Sequence, residues 1–122
     1  MEINTAKQDG VLVARPMAKR IDSATAAAFK GAMVDLINAG NLVIVLDLAE
    51  VDFIDSTGLG MLVSILKSLG REGRLLVCRP SPNVDSLFGI TRMHKLFDIF
   101  PSLEEALHRA RGASVNGDSG AR

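Results

Sequence analysis

Two adjacent hydroxyl residues, Ser56 and Thr57, are the part of this chain best suited to chemistry. They follow Asp55 at the point where a run rich in apolar residues gives way to an amphipathic helical pattern. The first N–H groups of a helix lack intrahelical acceptors, and the helix dipole leaves a partial positive charge there. A phosphoryl group on such a hydroxyl would be tolerated and would add about two negative charges to the surface. The residues therefore predict an exposed turn that can be modified.

The same residues also have a purely structural interpretation. Asp55 or Ser56 has to cap the helix that begins near Thr57, a contribution of about 1 kcal/mol. Gly58 and Gly60 favour an additional role, because each glycine in the first turns of a helix costs up to about 1 kcal/mol relative to alanine. Glycine leaves the backbone accessible, so we expect another protein to approach closely here.

The composition fits one domain that folds around its own core. The chain has 122 residues, of which 48% are hydrophobic, and its 14 basic residues balance 14 acidic ones. A nucleic-acid-binding surface needs clustered positive charge, so we expect no nucleic-acid partner. Cys78 is the only cysteine and lies in an apolar run, where a free thiol behaves as a small buried hydrophobe. The sequence shows no secretory signal and no apolar stretch of about 18 residues, so we expect a cytoplasmic protein without membrane insertion.

The periodicity predicts an N-terminal β-hairpin followed by alternating helices and strands. In chain order, the expected elements are strands at 2–7 and 11–17, a helix at 24–39, a strand at 42–46, a helix from about 57 to 70, a strand at 75–78, a short helix ending at 89, an edge strand at 96–100 and a last helix from 102 to about 111. Ser23 is the expected N-cap of the first helix, and Gly40 the residue just past its end. Such alternation predicts an α/β fold, an α+β arrangement with a mixed sheet of about five strands and four helices.

The end of the chain differs in composition from the rest. Residues 112–122 contain Gly, Ser, Asn and Asp with almost no large apolar side chains. Such a segment buries too little apolar surface to offset the entropy lost on ordering, which predicts disorder. We therefore expect one domain over residues 1–111 and a disordered C-terminal tail over residues 112–122.

Several segments of the chain resemble one known family. Val43–Leu48 followed by Val51–Gly60, which contains Asp-Ser-Thr-Gly-Leu-Gly, is similar to the signature of the STAS domain, specifically of the anti-sigma-factor antagonists. Arg20–Asp22 resembles the segment before the family's first helix, and Phe97–Leu107 resembles its closing strand and helix. The similarity spans about residues 2–110 and implies a single STAS-like domain.

The resemblance implies a partner-switching protein that regulates transcription in bacteria. Family members bind an anti-sigma factor that is also a serine kinase with a histidine-kinase-like ATPase fold, and this binding releases the sigma factor or another client. The kinase phosphorylates the serine after the motif aspartate, here Ser56 with Thr57 as the rival acceptor, and the complex dissociates. A metal-dependent serine phosphatase of the PP2C type restores the hydroxyl. The implied partner-binding residues are Asp22, Ser23, Asp55, Ser56, Thr57, Gly58, Leu59 and Gly60.

An enzyme or a metalloprotein is a less favoured interpretation. Asp55 and Gly58 are one position too far apart for the Asp-Thr/Ser-Gly motif of aspartic proteases. The acidic residues of this region are spaced so that a strand would tend to split them between its two faces; they are Asp47, Glu50, Asp52 and Asp55. We therefore expect no catalytic residue, cofactor or metal ion in this chain, which is instead a substrate and a ligand of enzymes.

Two other signalling functions are alternatives. Within the STAS family, some members are subunits that bind a transporter ATPase and need no phosphoserine cycle. Outside the family, a response-regulator receiver domain would be phosphorylated on Asp47, which ends a buried apolar run. Receivers also need an acidic pair just after the first parallel strand to hold magnesium, and the Val11–Met17 segment leads into no such carboxylates.

Overall fold

The computed structural model of the chain describes residues 1–116, with side chains described for residues 1–112. The strands are β1 (Ile3–Gln8), β2 (Val11–Pro16), β3 (Arg20–Ile21), β4 (Val43–Asp47), β5 (Phe53–Ile54), β6 (Arg74–Cys78) and β7 (Asp98–Phe100). The helices are α1 (Ala26–Asn38), α2 (Ser56–Leu69), α3 (Pro82–Ile90) and α4 (Leu103–Asn116), with a short 3₁₀ helix at Met93–Lys95.

The main sheet has five strands in the order β1-β2-β4-β6-β7. Strands β1 and β2 are antiparallel, and every other neighbouring pair is parallel. The β1–β2 turn has positive φ at both central residues, 53° at Asp9 and 81° at Gly10, as a two-residue hairpin with a type I′ turn requires. The predicted hairpin and mixed sheet are therefore confirmed.

The central strands separate two hydrophobic cores, because successive side chains of a strand point to opposite faces. Helices α1, α2 and α3 cover one face, where the largest buried side chains include Phe29, Met33, Ile44, Leu46, Leu62, Ile65 and Phe88. Helix α4 covers the other face, where the buried residues are Val11, Val13, Val45, Leu76, Cys78, Ala106, Leu107 and Ala110. The burial of Cys78 agrees with its expected role as a small hydrophobe. Within residues 1–116, no helix combines the length and hydrophobicity needed to cross a membrane.

A second, two-stranded parallel sheet joins β3 to β5 and raises the strand total among residues 1–116 to seven. In this pair, which we call the β3–β5 ribbon, Arg20 lies opposite Phe53 and Ile21 opposite Ile54. Sequence periodicity did not predict it, because each strand has only two residues. The ribbon places the segment before α1 next to the segment before α2.

The start of α1 differs from the prediction that Ser23 is its N-cap. Helix α1 begins at Ala26 with Thr25 as N-cap, so the Ser23 prediction is wrong. A turn around Asp22 precedes the helix instead. The carbonyl of Asp22 accepts hydrogen bonds from the backbone N–H groups of Thr25 at 3.0 Å and Ala26 at 2.7 Å, and its carboxylate accepts one from Ala24 N at 3.0 Å. At the other end, Gly40 follows the C-cap with φ of 103°, as predicted.

Helix α4 begins as the sequence predicts and ends later than predicted. Ser102 Oγ accepts a hydrogen bond from Glu105 N at 3.1 Å and donates one to the Glu105 carboxylate at 3.1 Å. The helix extends to Asn116, beyond the expected end near Arg111, so the predicted tail begins inside it. Residues 117–122 of that tail lie outside the described residues, and the division at residue 111 stays a prediction.

Candidate functional site

Asp55 is the residue that caps helix α2. Its backbone is extended, with φ of −96° and ψ of −175°, and its Oδ1 accepts a hydrogen bond from Gly58 N at 2.9 Å. Its carbonyl accepts the hydrogen bond from Leu59 N, also at 2.9 Å. Of the two caps that the sequence left open, the structure therefore selects Asp55, and Ser56 becomes the first helical residue.

The hydroxyl groups of Ser56 and Thr57 are both available to an approaching protein. Both residues are exposed, and neither side chain has a hydrogen-bond partner among residues 1–112. Ser56 lies directly after the cap, where the free N–H groups of the first turn and the helix dipole favour a negative charge. A phosphoryl group on Ser56 would thus need no unfolding of the surrounding structure.

Gly58 lies buried against the β3–β5 ribbon. A Cβ atom at this position would lie 2.8 Å from Cγ2 of Ile54 and would collide with the carbonyl oxygen of Ile21. The backbone of α2 can approach the ribbon this closely only because residue 58 has no side chain. The structural role of Gly58 is therefore close packing, whereas Gly60 is exposed with open space around its Cα.

Leu59 is also part of the interior. Its side chain is buried and belongs to the core between α2 and the sheet. Of the partner-binding residues proposed from the sequence, the structure thus exposes Ser23, Ser56, Thr57 and Gly60, leaves Asp22 and Asp55 half-buried, and buries Gly58 and Leu59. The accessible surface of this segment is centred on the two hydroxyl residues.

The Asp22–Ser23 loop meets the start of α2. Ser23 N donates a hydrogen bond to Asp55 Oδ2 at 3.1 Å, and Asp55 N donates one to the Ile21 carbonyl at 3.2 Å. One carboxylate therefore caps α2 and fixes the loop before α1 at the same time. The contact joins residues that are 32 positions apart in the chain.

The Asp22 carboxylate accepts its hydrogen bonds from residues that are close to it in the sequence. Its Oδ1 accepts hydrogen bonds from Ala24 N at 3.0 Å and Thr25 Oγ1 at 3.3 Å, and its Oδ2 accepts one from Arg20 Nε at 3.1 Å. The Arg20 hydrogen bond is the largest influence on the Asp22 carboxyl and holds its pKa below the ordinary value, against the opposing effect of desolvation. Asp22 is therefore ionised near neutral pH and organises the loop.

Arg20 and Phe53 form a contact beside this loop that the sequence reasoning missed. The guanidinium carbon of Arg20 lies 4.2 Å from the centre of the Phe53 ring, a distance at which a cation and an aromatic face attract. Both residues are exposed, and Phe53 is one of few large apolar side chains exposed among the described residues. The sequence shows Phe53 directly after the acidic Asp52, but only the ribbon reveals that Arg20 is its partner.

Asp47 is enclosed and ion-paired, which contradicts the receiver alternative. The residue is fully buried, and its carboxylate accepts hydrogen bonds from Arg79 at 3.0 and 2.6 Å, Arg15 at 3.1 Å and Ala49 N at 3.1 Å. Burial acts to raise the pKa of this carboxyl, but the hydrogen bond from Arg79 and the other contacts outweigh burial and lower it. A carboxylate held in this way is not accessible to a phosphoryl donor.

Comparison with known proteins agrees with this fold. A family model described as the STAS domain matches residues 2–106. The chain belongs to the STAS domain family. An anti-sigma-B factor antagonist of Listeria monocytogenes is 36% identical to this STAS chain over 84 residues, which cover 68% of the chain and 74% of that protein.

Solved structures share the same architecture. The crystal structure of an anti-sigma factor antagonist from Mycobacterium paratuberculosis has a TM-score of 0.82 and 29% identity, covering 90% of this chain and 93% of that one. SpoIIAA of Bacillus is a more distant structural neighbour, solved in unphosphorylated form (TM-score 0.74, 22% identity, 91% and 97% covered) and in phosphorylated form (TM-score 0.67, 20% identity, 90% and 100% covered). At these lower identities, SpoIIAA shows the shared fold. The predicted family and fold class are confirmed.

Proposed function

We propose that this STAS protein is an anti-sigma-factor antagonist whose affinity for its anti-sigma factor is switched by phosphorylation of Ser56. The observation that supports the proposal is the exposed Ser56 hydroxyl, which lies at the first position of the Asp55-capped helix and has no hydrogen-bond partner among residues 1–112. Several relatives with the same domain are named as antagonists of anti-sigma factors. The unphosphorylated protein binds the anti-sigma factor and so releases its client.

The proposed cycle needs two enzymes, for which this chain is the substrate. The anti-sigma factor acts as a serine kinase on Ser56, and a PP2C-type phosphatase removes the phosphoryl group. The chain itself performs no reaction, and the cycle takes place in the cytoplasm. The alternative of a STAS subunit bound to a transporter ATPase differs in its partner and in having no phosphoserine.

The physical basis of the switch is the desolvation of charge. Phosphorylation replaces a small neutral hydroxyl with a group of about two negative charges. Enclosing that group in an interface without a matching cation costs several kcal/mol, and each 1.4 kcal/mol lowers affinity about tenfold. A loss of affinity of about a thousandfold therefore follows from one modification, with no change in the fold beneath it.

Two Ser56 variants and a Thr57 control test this proposal. We expect Ser56→Ala to bind the anti-sigma factor with wild-type affinity, and Ser56→Glu to bind at least about 100-fold more weakly. Thr57→Ala is the matched control and should still be phosphorylated when the protein is incubated with ATP and the kinase. Isothermal titration calorimetry measures the affinities, and mass spectrometry maps the phosphorylated residue.

Equal binding by Ser56→Ala and Ser56→Glu would rule out the switch at this position. Phosphate mapped to Thr57 instead of Ser56 would transfer the role to the rival acceptor. Capture of a transporter ATPase, with no binding to an anti-sigma factor, would favour the transporter-subunit alternative.

A further inference from the structure

The loop before α1 presents a guanidinium group, and not a carboxylate, to an approaching partner. All three hydrogen bonds donated to the Asp22 carboxylate come from within the loop or from Arg20, and the Asp22 side chain is only 20% exposed. The Arg20 side chain is 58% exposed. Arg20 Nε donates a hydrogen bond to Asp22, whereas neither Nη group of Arg20 has a hydrogen-bond partner among residues 1–112.

Two contacts hold this guanidinium in one orientation before any partner binds. The Phe53 ring supports its face at 4.2 Å, and Asp22 holds its Nε edge at 3.1 Å. A long arginine side chain normally loses rotamer freedom when it enters an interface, and prior fixing removes part of that cost. Arginine is one of the residue types that are enriched at binding hot spots.

The neighbouring cation, Lys19, is not fixed in the same way. Its side chain is 76% exposed, and its ammonium group lies 3.8 Å from a carboxylate oxygen of Asp52, which is itself 65% exposed. An exposed pair of this kind contributes little and is readily exchanged for water. Lys19 and Arg20 therefore carry the same charge at adjacent positions but differ in preorganisation.

We propose that Arg20 is a specificity-determining contact that pairs through its free Nη edge with a carboxylate of the anti-sigma partner. The inference rests on the proposed function, because the β3–β5 ribbon places Arg20 opposite Phe53, which lies three residues before Ser56 in the segment that leads into α2. A guanidinium edge with two free donor groups matches the two oxygens of a carboxylate. In this proposal, the Ser56 hydroxyl is the group that is phosphorylated, and the Arg20 guanidinium is the fixed cation that selects the partner.

The test compares two charge reversals at adjacent positions in the full, unphosphorylated chain. We expect Arg20→Glu to raise the dissociation constant for the anti-sigma factor about 30-fold or more, because it loses a preorganised contact and adds repulsion. Lys19→Glu changes the net charge equally and should stay within about threefold of the wild type. Arg20→Lys keeps the charge but loses the planar fork, so its affinity should fall between those of the wild type and Arg20→Glu.

Thermal melts of each variant show whether the fold is retained. Binding titrations repeated in roughly 0.5 M salt separate a direct contact from long-range attraction, because salt at this concentration shortens the Debye length and screens distant charges. We expect the Arg20→Glu defect to persist in high salt. A second screen changes single acidic residues of the partner to arginine, and one such change should restore binding to Arg20→Glu.

Equal effects of Arg20→Glu and Lys19→Glu would overturn the proposal, because general electrostatics would then explain both. Failure of every acidic-to-arginine change in the partner to rescue Arg20→Glu would rule out a carboxylate as the contact. If the wild type binds the anti-sigma factor and Arg20→Glu binds equally well, only this inference fails. If the wild type binds no anti-sigma factor, the proposed function fails first and this inference with it.

Discussion

At the scale of single residues, Asp55 and Gly58 fix the start of α2. Asp55 uses one carboxylate oxygen to cap the helix and the other to hold Ser23 N. Gly58 lets the helix lie against the Ile21 carbonyl. The two residues together fix the position of Ser56 at the first turn of α2.

The two glycines of α2 should respond to alanine in opposite directions. Gly58→Ala places a Cβ against Ile54 and Ile21, and overpacking of this kind lowers the free energy of unfolding by about 1–3 kcal/mol. Gly60→Ala is the matched control, since it meets no atom within 4 Å and gains up to about 1 kcal/mol of helix propensity. Urea unfolding followed by circular dichroism measures the free energy of unfolding of both variants. Equal stability of the two variants would contradict the packing role of Gly58.

At the scale of elements, Asp47 joins the carboxyl ends of three strands. Arg15 on β2 and Arg79 just after β6 both donate to the carboxylate at the end of β4, and Ala49 N ties the following loop to the same group. Leu48 N also donates to the carbonyl of Cys78 at 2.9 Å. The start of the loop that leads from β4 toward α2 is therefore anchored to the sheet.

The Asp47 cluster should make stability depend on pH. The pKa of Asp47 is lowered in the folded state, so its contribution is complete above the unfolded pKa of about 3.9 and is lost as the pH falls through the folded value. Asp47→Asn leaves two arginines facing a neutral amide. We expect the free energy of unfolding to fall by about 2 kcal/mol at pH 7, less than for a fully buried ion pair, because both arginines are partly solvated. The difference between variant and wild type should begin to shrink below about pH 5.

Urea unfolding from pH 7 to pH 3 measures this dependence. Asp98→Asn is the control, because Asp98 is 53% exposed and pairs with Arg74 at 3.5 Å, a contact worth less than about 1 kcal/mol. A constant difference between Asp47→Asn and the wild type across this range would show that the Asp47 charge does not stabilise the fold.

At the scale of the whole molecule, the sheet separates the start of α2 from the core beneath α4. Ser56 begins a helix that packs on one face of the sheet, and Cys78 lies on the other face under α4. Burial, together with the nearby Asp47 charge, raises the pKa of the Cys78 thiol to about 12. The thiol is therefore protonated at neutral pH and shielded by the helix.

Cys78 should react with thiol reagents only when this second core opens. We expect no labelling by Ellman's reagent in native protein at pH 8 over minutes, and one equivalent immediately in denaturant, because the chain has a single cysteine. A Cys78→Ala/Ser68→Cys variant, with its thiol on the exposed surface of α2, is the control and should react at once in the native state. Rapid labelling of native Cys78 would show that α4 detaches from the sheet without global unfolding.

The sequence by itself determined the hairpin, the order of the longer elements, the family and the position of the hydroxyl pair. Each of these depends on local patterns: turn residues at 8–10, hydrophobic periodicity in the helices and the continuous motif from Asp55 to Gly60. Such patterns act over a few residues, so they can be recognised without knowing the packing.

Tertiary structure decided which of these residues face a partner. The Ser23–Asp55 contact and both arginine contacts of Asp47 join positions 32 residues apart, and no local pattern specifies such pairs. The two-residue strands of the β3–β5 ribbon are too short for periodicity, yet they bring Arg20 over Phe53 and require glycine at position 58. The inward face of α2 is different: the helical spacing of Leu59, Leu62 and Leu69 already indicates it, and the fold decides only what that face packs against.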